Sequence, residues 1–276
     1  MANFLDAAIE IAREAGQLLM AHRGVGFELK GDYDLVTAAD RASEKLIVTR
    51  LREQFPEHGS VAEEGGRAEM KAPLRWYVDP LDGTTNFAHG FPLWNVTLAL
   101  AREGEVIAGV VYDPLNRELF AAERGAGARL NGAPIRVSQA ATLNDALLAT
   151  GFPSQKRHLN VNIHFYYQLA MGTHGIRRGG SAAIDLAYTS CGRLEGFWEF
   201  GLNPWDMAAG TLLVQEAGGQ ASGMRGEPLD LHGPYVLADN GLIHAETLAL
   251  FAEIFRGEYR HEMPSLPVKE WEMQNV

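Results

Sequence analysis

From Leu74 to Gly132 short apolar runs alternate with tight turn signals. WYVD (76–79) reads as a strand that ends in the turn-rich DPLDG. Trp94–Ala101 alternates again, and Glu103-Gly104 joins it to Val106–Tyr112. Asp113-Pro114 and Asn116 turn the chain into Arg117–Glu123, and Asn131-Gly132 signals a further hairpin. Two-residue connections join only antiparallel neighbours, because parallel strands need a crossover of a dozen residues or more. The stretch therefore predicts a largely antiparallel sheet and excludes a repeating βαβ barrel.

What covers that sheet is upstream. Phe4, Ala8, Ile11, Ala12, Ala15, Leu18 and Leu19 recur at helical spacing, and Gly24 and Gly26 end the run. FELKGDYD (27–34) predicts a short strand and a mobile turn. Thr37 opens a second helix with Asp40 three residues on, the reciprocal pair of a capping box. Leu46, Ile47, Leu51 and Phe55 give that helix a core face. The second half mixes elements. Ser181–Cys191 reads as a helix stopped by Gly192, and Gly196–Phe200 as a strand. Asn203-Pro204 starts a helix, with the asparagine as N-cap and the proline at the first helical position, and Gly218-Gly219 ends it. The expected organisation is α+β: an N-terminal half over 1–145, a C-terminal half over 146–260 and a tail over 261–276.

The net charge of -11 over 276 residues argues against non-specific nucleic-acid binding, which needs a positive footprint. A single cysteine, Cys191, excludes an intramolecular disulfide and suits a reducing cytoplasm. No apolar run approaches membrane-span length, and the acidic N-terminal helix lacks the pattern of a signal peptide. The expectation is a cytoplasmic protein with no membrane contact.

DPLDG raises a question of charge. Asp-Pro and Asp-Gly are ordinary turn pairs. However, Asp79 ends an apolar strand, where an unanswered carboxylate costs several kcal/mol. Gly83-Thr84-Thr85-Asn86 looks like a helix entry with free backbone N–H groups. Further acids stand in similar contexts at Glu63-Glu64 and Trp205-Asp206. Oxygen donors without His or Cys suit Mg²⁺, and paired ions can clamp the two oxygens of a phosphate ester displacement.

W-x-V-D-P-L-D-G-T-T-N-F (76–87) resembles the first signature of the inositol monophosphatase family, whose members are Mg²⁺-dependent, lithium-sensitive phosphatases. W-D-x-A-A-G (205–210) with E-A-G-G (216–219) resembles its second, and DLVTAAD (34–40) and Glu63-Glu64 precede them in matching order. The resemblance spans roughly residues 4 to 256. It implies a layered αβαβα sandwich of the inositol monophosphatase and fructose-1,6-bisphosphatase type, a homodimer, and two or three Mg²⁺ ions per active site.

It also implies roles. Glu63, Asp79 and the Leu81 carbonyl would hold one metal, and Asp79, Asp82 and Asp206 a second. Thr84 and Glu63 would orient the attacking water, with Asp40 bonded to Thr84. The Gly83 and Thr84 N–H groups would bind phosphate. Ser181, Ala182, Glu199 and Asp206 would contact the substrate, with Glu199 accepting from ring hydroxyls. Other readings stand beside these. Asp40 is also the capping-box acid of its helix, and Asp206 an acid in a helix first turn, favoured by the dipole. For Glu199 the lesser alternative is a strand-end surface acid. Glu63 aligns with the ligand better than Glu64. Lys30 falls where the family has a lysine on a mobile loop, against a solvated lysine as default. Arg177 and Arg178 read as a loop-orienting or solvated pair, Asp185 as a neighbour of the substrate or of a partner loop, His89 as a helix-end residue and Cys191 as a core thiol.

The implied reaction is hydrolysis of myo-inositol monophosphate, a small phosphate monoester, by water attacking directly. Histidinol phosphate, fructose 1,6-bisphosphate and 3′-phosphoadenosine nucleotides are the alternative substrates within the superfamily. A non-catalytic regulatory protein on the same fold is the alternative of another class.

Overall fold

In the computed structural model, residues 4–24, 26–31, 34–65, 67–68, 72–152 and 160–264 are described, with the backbone alone at 27, 29–31, 34–35 and 67–68. Helix α1 (Phe4–Ala21) is followed by β1 (Phe27–Gly31), β2 (Asp34–Thr37), α2 (Ala38–Gln54), β3 (Gly59–Ala62), β4 (Arg67–Ala68), β5 (Leu74–Asp82) and α3 (Thr84–His89). Then come β6 (Asn95–Arg102), β7 (Glu105–Asp113), β8 (Glu118–Glu123), β9 (Gly127–Leu130) and β10 (Ala133–Pro134). A 3-10 turn (Leu143–Asp145) leads to β11 (Leu147–Thr150), α4 (Asn162–Gly172), β12 (Gly175–Arg177), α5 (Ala182–Ser190) and β13 (Gly196–Phe200). The last elements are α6 (Pro204–Glu216), β14 (Gln220–Ser222), β15 (Tyr235–Asp239) and α7 (His244–Phe255).

The antiparallel run is present as expected. Strands β5 to β10 pair in chain order and form most of an eight-stranded sheet. Its hairpin turns fall where the turn signals stand. Glu103 and Gly104 both take positive φ, as do Asn131 and Gly132, the backbone that a two-residue hairpin matching the strand twist requires. The far edge differs from the expectation, because β3 pairs parallel with β5. FELKGDYD also holds more than a strand and a turn: β1 pairs with β2, a second strand ending at Thr37. A separate five-stranded sheet, β12-β11-β13-β15-β14, is parallel across β12, β11 and β13 and antiparallel beyond.

Three buried clusters stack these sheets into αβαβα layers. Helices α1 and α2 lie on the outer face of the large sheet, meeting Trp76, Val78, Val96 and Leu98. Its small residues bring α1 close: a side chain on Gly16 would overlap the Tyr112 ring. Helices α5 and α6 lie between the sheets and bury nearly every side, as a helix apolar all round must. Helices α4 and α7 cover the outer face of the small sheet around Phe165, Trp198 and Phe251. The expected tail begins attached to α4, since Gln168 exchanges two hydrogen bonds with the His261 backbone. Residues 265–276 lie outside the described residues. Among the described residues no helix is long and apolar enough to cross a membrane.

A buried polar chain ties α7 to the small sheet. Asp239 Oδ2 lies 2.8 Å from His244 Nδ1, whose Nε2 lies 3.1 Å from Ser222 Oγ. All three residues are buried. Removing the imidazole strands a buried carboxylate and opens a gap. His244→Ala is therefore expected to destabilise the fold by about 1–3 kcal/mol, measured as a lowered urea midpoint.

Candidate active site

The spacing of Asp79 and Asp82 is resolved by one extra residue. Asp79 pairs with Thr97 and Asp82 with Asn95, so three steps on β5 oppose two on β6. This is a β-bulge, and Pro80, which has no N–H to give the ladder, lies inside it. In a regular strand, residues three apart point to opposite faces. The bulge reverses the phase: Leu81 packs with Trp76 and Val78 under the outer helices, and both aspartates face the inner side. Asp79 Oδ1 accepts from the Leu81 N–H at 3.0 Å, and the Ser43 hydroxyl donates to the Pro80 carbonyl at 2.9 Å.

The neighbours arrive from four other segments. Strand β3 runs parallel to β5 and delivers Glu63 beside Asp79, with Glu63 N–H bonded to the Val78 carbonyl. The Thr84 hydroxyl lies 2.8 Å from Asp40 Oδ1 and 3.0 Å from the Leu81 carbonyl. Asp40 fills both roles that the sequence allowed it, because its Oδ2 caps α2 through Thr37. Asp82 Oδ2 accepts from Asn95 Nδ2 at 3.0 Å, Ser181 Oγ at 2.7 Å and Ala183 N–H at 2.9 Å. Asp206 Oδ2 accepts from Asn203 N–H at 2.6 Å, closing the cap of α6.

A cavity of about 880 Å³ gathers these groups. Its wall includes Glu63, Asp79, Leu81, Asp82, Gly83, Thr84, Ser181, Ala182, Glu199 and Asp206. Asp40 does not line it and reaches it through Thr84. Three helices begin at this wall: α3 at Thr84, α5 at Ala182 and α6 at Pro204. Their first turns stand around one space with their positive dipole ends; the Ala183 N–H there already donates to Asp82, and the Asp206 N–H to the Asn203 carbonyl. Glu199, on β13, is buried rather than a surface acid. Glu64 is absent from the wall, and its backbone N–H donates to Glu44. His89 is exposed at the end of α3 and absent from the wall. Cys191 is half-buried, not a core thiol, because it follows the end of α5. The Lys30 side chain lies outside the described residues.

The wall holds residues that sequence reasoning passed over. Asn95 bridges Asp82 and Ser181. Asn86 Nδ2 donates to the Leu93 and Gly179 carbonyls and ties α3 to the loop before α5. Gly151 leaves room for Glu199, whose carboxyl would lie 2.1–2.3 Å from any Cβ placed there. The asparagine after the first signature and the glycine ending an apolar run were the available signals.

Burial dominates the electrostatics. It raises the Asp79 carboxyl well above the ordinary range, and the charges of Glu63, Asp82 and Asp206 add to it. Burial also raises Asp82, against the pull of its hydrogen bonds from Ser181, Asn95 and Ala183. Asp206 is raised well above the ordinary range by burial, opposed by the Asn203 N–H and reinforced by Asp82 and Glu63. No arginine or lysine pairs with Asp79, Asp82 or Asp206 among the described residues. As they stand, no three acidic, His or Cys side chains among the described residues are gathered closely enough to hold a metal ion. The donor chemistry nevertheless fits a hard cation: the set is all oxygen and mutually repelling, with Asp79 buried and Glu63, Asp82 and Asp206 half-buried, and a divalent ion relieves that repulsion.

The chain belongs to the inositol monophosphatase family, whose profile matches residues 1–256. It is 47% identical over 215 residues to an inositol-1-monophosphatase of Synechocystis sp., covering 77% of this chain and 75% of that one. It is 44% identical to the Nus factor SuhB of Pseudomonas aeruginosa, covering 96% and 99%. The fold superposes on an inositol monophosphatase from Anabaena with a TM-score of 0.82 at 41% identity, covering 89% and 94%. A Thermotoga maritima IMPase gives 0.86 at 37%, covering 93% and 99%. The family is one of phosphatases, generally metal-dependent.

The raised acids set a stability prediction. A carboxyl whose pKa is raised in the folded state keeps a proton there that the unfolded chain has lost. Above about pH 4, the unfolded value, these groups therefore cost stability increasingly as pH rises through their folded values. In chelator at pH 8, Asp79→Asn should melt above the parent. Adding a divalent cation at about 100-fold over its Kd should raise the parent's melting temperature by roughly 5 °C or more, and should raise that of Asp79→Asn much less.

Proposed function

We propose that the protein is a Mg²⁺-dependent phosphomonoesterase that hydrolyses myo-inositol monophosphate by direct attack of water. The observation that carries this reading is the convergence of Glu63, Asp79, Asp82 and Asp206 on the cavity into which three helices direct their N-termini. Carboxylates alone would repel a phosphate ester. Cations held among them reverse that, and the helix ends add N–H donors suited to phosphoryl oxygens. In this reading Glu63, Asp79 and the Leu81 carbonyl hold one ion, and Asp79, Asp82 and Asp206 another. When bound, Mg²⁺ neutralises phosphoryl charge and makes water acidic enough to attack at neutral pH.

The chain's own part is positional. Asp40 Oδ1 and the Leu81 carbonyl take the Thr84 hydroxyl proton between them, so the free lone pairs of Thr84 Oγ1 turn toward the cavity. A water there donates to Thr84, and Asp40 is the buried acceptor behind it. Asp40 stays fixed throughout because Thr37 holds its other oxygen. The Gly83 and Thr84 N–H groups receive phosphate, and the Ser181-Ala182 end of α5 meets the ester's alcohol portion. Glu199 supports a polyol: it is buried in the wall and can accept from hydroxyls. The reading places the protein in the cytoplasm as a homodimer.

The relatives named Nus factor SuhB favour a second reading, a regulatory role on the same fold. The complete carboxylate set favours catalysis as at least one of the chain's activities. A panel of inositol monophosphate, histidinol phosphate, fructose 1,6-bisphosphate and a 3′-phosphoadenosine nucleotide with Mg²⁺ tests the assignment. Inositol monophosphate should have the highest kcat/KM, and Asp79→Asn should lower it by about 100-fold or more, the scale of losing preorganised charge at a reacting centre. No Mg²⁺-dependent turnover of any ester, together with a stable macromolecular partner recovered by pull-down, would leave the regulatory reading.

A further inference from the structure

The cavity wall also holds two carboxylates that the proposed reaction does not need for its metals. Glu199 on β13 is 7% exposed, and Asp185 in the first turn of α5 is 4% exposed. Both line the cavity. Neither side chain accepts a hydrogen bond among the described residues. Asp82 and Asp206 have their caps and asparagines, whereas these two have only room. Glycines make that room: a Cβ on Gly151 would collide with the Glu199 carboxyl, and one on Gly179 would come within 3.0 Å of Asp185 Oδ1.

Asp185 is the strongest charged influence on Glu199, Asp82 raises Asp185 in turn, and Arg178 offsets part of the repulsion at both. Arg178 is itself exposed, and no ion pair with either acid is within 4 Å among the described residues. Neither carboxyl is sealed from the cavity, so its oxygens stay open to donors that water or a ligand brings there. A neutral polyhydroxylated ring does so, since adjacent hydroxyls can donate to the facing oxygens of two carboxylates.

Resting on the phosphatase reading, we infer that Asp185 is a second hydroxyl-binding carboxylate and forms with Glu199 an acceptor wall. This wall selects phosphate monoesters of neutral polyols and rejects substrates carrying a second anion. Selection has two parts. Hydroxyl donors satisfy the buried acceptors, and an aryl ester leaves them bare. A second phosphate or a carboxylate at this wall meets like charge in a low-dielectric pocket. Asp185 is thus a specificity-determining residue, not a metal ligand.

The test measures kcat and KM at saturating Mg²⁺ for inositol monophosphate, a small aryl phosphate and fructose 1,6-bisphosphate, with the half-saturating Mg²⁺ concentration and the melting temperature of each variant. Asp185→Ala should lower the ratio of kcat/KM for inositol monophosphate to that for the aryl ester by about tenfold, mostly through KM, the scale of one charge-assisted hydrogen bond. Asp185→Asn keeps the shape and can still accept, so it should recover part of that ratio. Both variants should turn over the bisphosphate better relative to inositol monophosphate than the parent does. An unchanged ratio, equal losses on both esters, or a shifted Mg²⁺ requirement would overturn the acceptor wall while leaving the phosphatase reading intact. A parent inactive on all three esters would remove the phosphatase reading, and the wall with it.

Discussion

One inserted residue governs the geometry of this molecule. Between Asp79 and Asp82 the strand gains a position that its neighbour lacks. Without it, one of the two carboxylates would point into the apolar layer beneath α1 and α2. With it, Leu81 takes that place and both acids face the inner layer. Proline suits the inserted stretch because a bulge already breaks the ladder of hydrogen bonds. The same kink ends β5 and frees Gly83 to turn with positive φ, a conformation in which a Cβ would press on the Leu93 carbonyl and Trp94. Helix α3 can then start over the cavity.

The layered architecture supplies the rest. Because α5 and α6 are sandwiched between two sheets, their positions are fixed by contacts on all sides and their N-termini cannot swing away. Asp82 shows how the halves are locked. Its one oxygen collects donors from β6 and from the start of α5, residues more than 80 positions apart in the chain. These bonds also oppose the rise in its pKa that burial causes. An acid held this way stays oriented with or without a ligand.

Legibility divides along physical lines. Features set by short-range chemistry could be read directly: the hairpin turns at Glu103-Gly104 and Asn131-Gly132, the capping box of Thr37 and Asp40, and the Asn203-Pro204 helix start. The acids of the cavity were legible through the family resemblance and a strand that ended in charge. The parallel pairing of β3 with β5 was not, because a parallel neighbour leaves no local turn signal. The small sheet was mostly hidden for the same reason: β11, β12 and β13 are joined through helices. Asn95, Asn86 and Gly151 escaped because their importance lies in contacts across the chain. Glu199 was readable as an acid near a motif, but its burial depends on a glycine 48 positions earlier.

The distribution of hydrogen bonds sorts the acids of this cavity into two kinds. Asp79, Asp82 and Asp206 each bond to backbone or side-chain donors that hold them at an angle. Glu199 and Asp185 are more deeply placed than Asp82 and Asp206 but lack such anchors, so their orientation is set by packing. Anchored carboxylates can present the remaining oxygen to a cation without rearranging, which is what preorganisation requires. Unanchored ones retain both oxygens for donors that arrive with the substrate. The chain thus lines a single cavity with both anchored and unanchored acids. That division follows from which backbone amides and asparagines the fold brings within reach.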